Sequence, residues 1–120
     1  MLPSVSEQNF SKQILESPLP VLVNFWTPWC GLCLAINPVL LEVQSQWQGQ
    51  IKCLSINPDE NFKLARTYRL SNLPTLMLFH QGRVVQRIEH FQGREELRRL
   101  LEKSLTGLVK GMSVPTSLTI

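Results

Sequence analysis

The side chains best suited to chemistry are Cys30 and Cys33, which end the stretch Asn24-Phe25-Trp26-Thr27-Pro28-Trp29-Cys30-Gly31-Leu32-Cys33. Two thiols separated by two residues at a helix start form a dithiol that can close into a disulfide and reopen. A thiol attacks only when ionised, and a free cysteine of pKa about 8.5 is only slightly ionised at neutral pH. At a loop-to-helix junction, Cys30 would face unpaired backbone N–H groups and the positive end of the helix dipole, both of which favour thiolate. Cys30 is therefore the expected attacking sulfur. Cys33, about one turn further in, is placed to attack a mixed disulfide on Cys30 and release reduced product. Gly31 is expected to let the backbone turn tightly beside the sulfurs. Pro28 and Trp29 would form a flat apolar surface beside Cys30, suited to docking a protein.

Two other readings of the pair stay open. Zinc wants four ligands, and the remaining candidates are Cys53, His80 and His90, on separate predicted strands with no second closely spaced pair. Two inert core cysteines could also fall at this spacing by chance. With three cysteines in the chain, an odd count argues against a disulfide framework and leaves Cys53 as a spare. A buried free thiol acting as a small hydrophobe is the plain expectation for it.

The elements that would position the dithiol follow from hydrophobic pattern. Val21 to Trp26 is nearly all apolar, as in a strand buried on both faces. A helical segment over about 31–47 follows, and Pro38 inside it should kink it. Before the strand, Ser4-x-x-Glu7 has the capping-box pattern, and Phe10, Ile14 and Leu15 predict a helix over about 7–16. Ile51 to Ile56 is a second strand, and Phe62, Leu64, Ala65 and Tyr68 suit a short helix. Thr75 to His80 is a third strand, Gln81-Gly82 a hairpin turn, and Arg83 to Glu89 an edge strand. A last helix begins near Gly93, with Leu97, Leu100, Leu101, Leu105 and Leu108 as its apolar stripe and Gly107 and Gly111 as stops. Two strand–helix–strand crossovers predict parallel pairs, and the hairpin adds antiparallel strands. The expected product is an α/β domain over 1–111 with a mixed central sheet sandwiched by helices, and a loosely held tail over 112–120.

The 120 residues carry 12 Lys+Arg against 9 Asp+Glu, and the basic residues concentrate between Arg83 and Lys110. No aromatic residues alternate with them, so a solvated helix face and an exposed hairpin are expected rather than a nucleic-acid surface. No apolar run approaches the roughly 20 residues of a membrane span. Met1 to Phe10 lacks the basic and apolar regions of a secretory signal, which predicts a cytoplasmic location.

The stretch Phe25-Trp26-Thr27-Pro28-Trp29-Cys30-Gly31-Leu32-Cys33 resembles the active-site signature of the thioredoxin family. Leu73-Pro74-Thr75 resembles that family's cis-proline loop, Phe79-His80-Gln81-Gly82 its following strand and turn, and Pro38 a proline of its helix. The resemblance runs from about Phe10 to Leu101. It implies the thioredoxin fold, disulfide reductase activity without a bound cofactor, Cys30 as nucleophile and Cys33 as resolving thiol. It also implies a cis Leu73–Pro74 bond and a Leu73 backbone that pairs with a bound substrate strand. Trp29, Gly31, Leu32, Leu73 and Pro74 become the expected substrate surface. Disulfide-bearing proteins and a separate thioredoxin reductase become the expected partners of a monomer.

Three departures from the family pattern stand out. Leu32 replaces the usual proline between the cysteines, which should shift the potential toward a weaker reductant. Asn24 stands where the family buries an aspartate behind the second cysteine, and Ser55 where a lysine commonly pairs with it. Neither can take a proton at neutral pH, and both are expected to tune Cys33, hydrogen-bonded to water or to each other. His90 stands where a glycine usually lets a partner backbone approach. A binding module with a vestigial dithiol and a more oxidising exchanger are the rival readings of the same residues.

Overall fold

A computed structural model describes the backbone of residues 1–118 and the side chains of residues 1–111. Its centre is a four-stranded sheet of β1 (Val21–Phe25), β2 (Lys52–Ile56), β3 (Thr75–His80) and β4 (Arg83–Ile88) in the order β2-β1-β3-β4. β1 is buried along its whole length, as its uninterrupted apolar run predicts. Successive residues of the strands face opposite sides. Leu22, Cys53, Leu76 and Leu78 join one core cluster, whereas Val21, Val23, Phe25, Met77 and Phe79 join the other. The first cluster is closed by α3 (Asn37–Gln46) and α5 (Arg94–Leu118), the second by α1 (Glu7–Phe10) and α4 (Phe62–Thr67). The mixed sheet between helices is the α/β architecture expected.

Only one of the two expected parallel pairs forms. β1 pairs with β2 in parallel, but β3 runs antiparallel to β1. The chain re-enters the sheet at the end where β2 left it, so the segment holding α4 (Phe62–Thr67) does not return the chain along the strand direction. β3 and β4 form the predicted hairpin, turning at Gln81 (φ 53°) and Gly82 (φ 77°), the left-handed pair that a two-residue hairpin turn requires.

Several element boundaries differ from expectation. The first helix is α-helical only to Phe10 and continues as a π-helical turn over Ser11–Leu15. Ser4 does not cap it. Ser4 bridges in parallel to Ser55, and Val5 N donates to Ser55 O at 2.9 Å. Glu7 instead reaches across the fold, accepting from Lys63 N (2.6 Å) and Leu64 N (3.3 Å) at the start of α4. The segment after the cysteines is two helices, α2 (Gly31–Ala35) and α3, broken at Ile36, with Pro38 in the first turn of α3. There a proline forfeits no hydrogen bond, because first-turn N–H groups have no partner within the helix. α5 runs through both Gly107 and Gly111. A glycine costs about 1 kcal/mol in a helix, and burial of Leu97, Leu101 and Leu105 outweighs that at roughly 1.5–3 kcal/mol each. For the tail expected over 112–120, the side chains lie outside the described residues, as does the backbone of 119–120.

Candidate active site

Cys30 and Cys33 are joined as a disulfide with their Cα atoms 5.2 Å apart. β1 delivers the chain to Trp26, Cys30 N donates to Thr27 O at 3.2 Å, and Cys30 becomes the N-cap of α2. Its Sγ accepts from Cys33 N at 3.1 Å. That bond meets one of the orphan amides of the helix start and aims a positive dipole end at the sulfur. Cys30 keeps 9% of its surface and Cys33 only 1%, so the first cysteine is the less buried of the two. Gly31 differs from expectation. It is the first residue of α2 and is not among the glycines with positive φ. A Cβ placed there would meet nothing within 4 Å. No tight turn needs it, and its bare backbone faces open space beside the sulfurs.

Trp29 is 70% exposed and its indole Nε1 donates to Asp59 Oδ2 at 2.9 Å. A groove next to Cys30 is lined by Trp29, Pro58, Asp59, Phe62 and Leu73. Phe62, expected only as a helix residue, is 70% exposed and belongs to this groove. Asp59 lies 30 residues from Trp29 in sequence, and nothing local marks the two as partners. The Leu73–Pro74 bond is cis, and Leu73 lines the groove. Leu32 is partly exposed, next to Cys33. His90 has φ 60°, in the left-handed region that favours glycine.

Asn24 is buried on β1, in register with Ser55 on β2, and alternation puts both on the sheet face covered by α3 and α5. The two do not hydrogen-bond each other. Ser55 Oγ donates toward Leu2 O (3.0 Å), with Pro3 O at 3.3 Å, and so anchors the N-terminal segment. Asn24 Oδ1 has no hydrogen-bond partner among the described residues, like Trp26 Nε1 and Thr27 Oγ1. Cys53 is free and buried, and burial pushes its pKa up to about 11. Among the described residues no three His, Cys, Asp or Glu side chains gather as metal ligands.

The thioredoxin family model matches residues 2–103. The chain is 41% identical to a thioredoxin of Synechocystis sp. over 103 residues, 86% of this chain and 96% of that one. It is 40% identical to thioredoxin 1 of Nostoc sp. over 84% of this chain and 94% of that one. A thioredoxin of Rickettsia conorii is 37% identical over 88% of this chain and 100% of its own. With this fold and this disulfide, the chain belongs to the thioredoxin family. It is a thiol–disulfide oxidoreductase whose redox couple is Cys30–Cys33.

Proposed function

We propose that the protein reduces disulfides in other proteins, with electrons supplied by a separate thioredoxin reductase, in the cytoplasm. The observation that carries this reading is that Cys30 lines a groove walled by Trp29, Phe62 and Leu73. Exposed aromatic and aliphatic side chains bury area against a polypeptide, whereas a small disulfide needs no such surface. In the reduced form the Cys30 thiolate attacks one sulfur of a substrate disulfide, and the other sulfur leaves as a thiolate. The Cys33 thiolate then attacks Cys30 Sγ. The Cys30–Cys33 disulfide forms, the second substrate thiolate leaves, and two electrons have passed to the substrate. Among the described residues the Leu73 N–H makes no backbone hydrogen bond, which suits the pairing with an extended substrate strand. Gly31 and Leu32 extend the docking surface in this reading, and Pro74, buried behind it, shapes the loop that presents Leu73.

Insulin reduction with dithiothreitol as electron source tests it. The wild type should accelerate precipitation of the insulin B chain. Cys30→Ser should abolish the effect. Cys33→Ser should stall as a mixed disulfide through Cys30, visible as an added substrate mass that dithiothreitol removes. A wild type no faster than dithiothreitol alone would mark a binding module instead.

A further inference from the structure

The loop between α4 and β3, residues 69–74, carries Leu73 to the groove. Arg69 to Asn72 lie largely at the surface, and Arg69 has φ 49°, a left-handed conformation costly for a residue with a Cβ. Surrounding structure must hold such a backbone. Part of the hold is the C-cap of α4 itself, where Arg69 N donates to Arg66 O at 3.2 Å and Leu70 N to Ala65 O at 3.0 Å. Arg87 on β4 adds to it from outside the helix. Arg87 pairs in register with Met77, so its side chain points to the face covered by α4. Its Nη1 donates to Tyr68 O at 2.6 Å and its Nη2 to Arg69 O at 3.0 Å. One planar guanidinium thus caps the end of α4 and fixes the carbonyl of the left-handed residue.

Arg87 Nε also donates to Glu89 Oε1 at 3.2 Å. At the far end of the loop, the Thr75 hydroxyl donates its one proton to Asn72 O at 2.7 Å. A third tie closes the set, with Asn72 Nδ2 3.3 Å from His90 Nε2. His90 carries the other left-handed backbone beside the loop.

We propose that Arg87 is a positioning residue for exchange with protein disulfides. It touches neither sulfur nor substrate. It holds loop 69–74 in the shape that presents the Leu73 backbone and side chain to a docked strand. The order is in place before the substrate arrives, so binding does not have to supply it. Lysine at this position would keep the charge but lose the fork that grips two carbonyls at once. This inference rests on the protein-disulfide reading above.

Arg87→Gln and Arg87→Lys in the full chain test it. For insulin, KM should rise about five-fold in Arg87→Gln and less in Arg87→Lys, with kcat nearly unchanged. Reduction of the small aromatic disulfide DTNB and the Cys30–Cys33 potential should stay at wild-type values. Hydrogen exchange of amides 69 and 70, which donate to Arg66 O and Ala65 O, should accelerate at least about ten-fold, while β1 and β3 stay protected. Insulin KM within about two-fold of wild type, or insulin and DTNB rates falling together, would overturn the proposal. The exchange measurement needs no substrate. If wild type reduces DTNB but not insulin, the protein-disulfide reading fails, and with it Arg87's role in exchange. Accelerated exchange would then leave only a structural brace.

Discussion

Asn24 sets this site apart from a dithiol backed by an acid. Its buried Oδ1 lacks a protein partner among the described residues, and Ser55 beside it is committed to the N-terminal segment. Neither side chain can take up a proton at neutral pH. Asn24→Asp would supply a carboxylate, buried and without a lysine opposite. Burial raises a carboxyl pKa, so the folded value would exceed the unfolded value of about 3.9. The variant should be closest to wild-type stability below about pH 4 and lose stability as pH rises through its raised folded pKa. The loss is about 1.4 kcal/mol for each factor of ten by which folding weakens the acid. Urea melts at about pH 4 and pH 7 would show the difference. An equal loss at both values would contradict this account of the site. Cys53 follows the same logic. Its pKa of about 11 keeps it neutral at physiological pH. Its burial stabilises the fold fully below the unfolded pKa near 9 and progressively less as pH rises to about 11. The oxidised native protein should show no DTNB-reactive thiol at about pH 8, and one after unfolding in guanidinium.

Elements differ in how much of them local pattern could tell. β1, β3 and the hairpin were legible because burial on both faces and a two-residue turn write themselves into neighbouring residues. Cys30 and Cys33 were legible for the same reason, since their chemistry needs only a three-residue spacing and a helix start. The partners that hold the site were not. Trp29–Asp59, Glu7–α4 and Arg87–Arg69 join residues far apart in sequence, and no periodicity encodes such pairs. Ser4-x-x-Glu7 shows the hazard plainly. Its spacing matched a local cap, but the sheet edge took Ser4 and the start of α4 took Glu7. Glu7→Ala should accordingly destabilise the protein by about 1 kcal/mol, which is roughly 4–8 °C in a domain of up to 100 residues and somewhat less here. Ser4→Ala should leave the melting temperature within about 1 °C, because its role is a backbone bridge. Differential scanning calorimetry of the two variants separates them.

At the scale of the whole molecule, the stretch of chain around the dithiol carries no charge of its own. No charged residue occurs between Glu16 and Glu42, the span that holds β1, the dithiol and the first half of α3. Arg98 on α5 pairs with Glu42 on α3 and with Glu95, which ties the last helix over the core at its rim. Among the described residues no helix is long and apolar enough to cross a membrane. The groove beside Cys30 has Asp59, hydrogen-bonded to Trp29, as the one charged side chain among its lining residues. Leu32 between the cysteines is the feature expected to shift the driving force of exchange. The equilibrium reduction potential of Cys30–Cys33 against a glutathione buffer tests the claim that the protein is a reductant most directly. The account predicts a value on the thioredoxin side, between about −270 and −200 mV, less negative than the thioredoxin figure because of Leu32. A value near −120 mV, as in the strong oxidant DsbA, would contradict it.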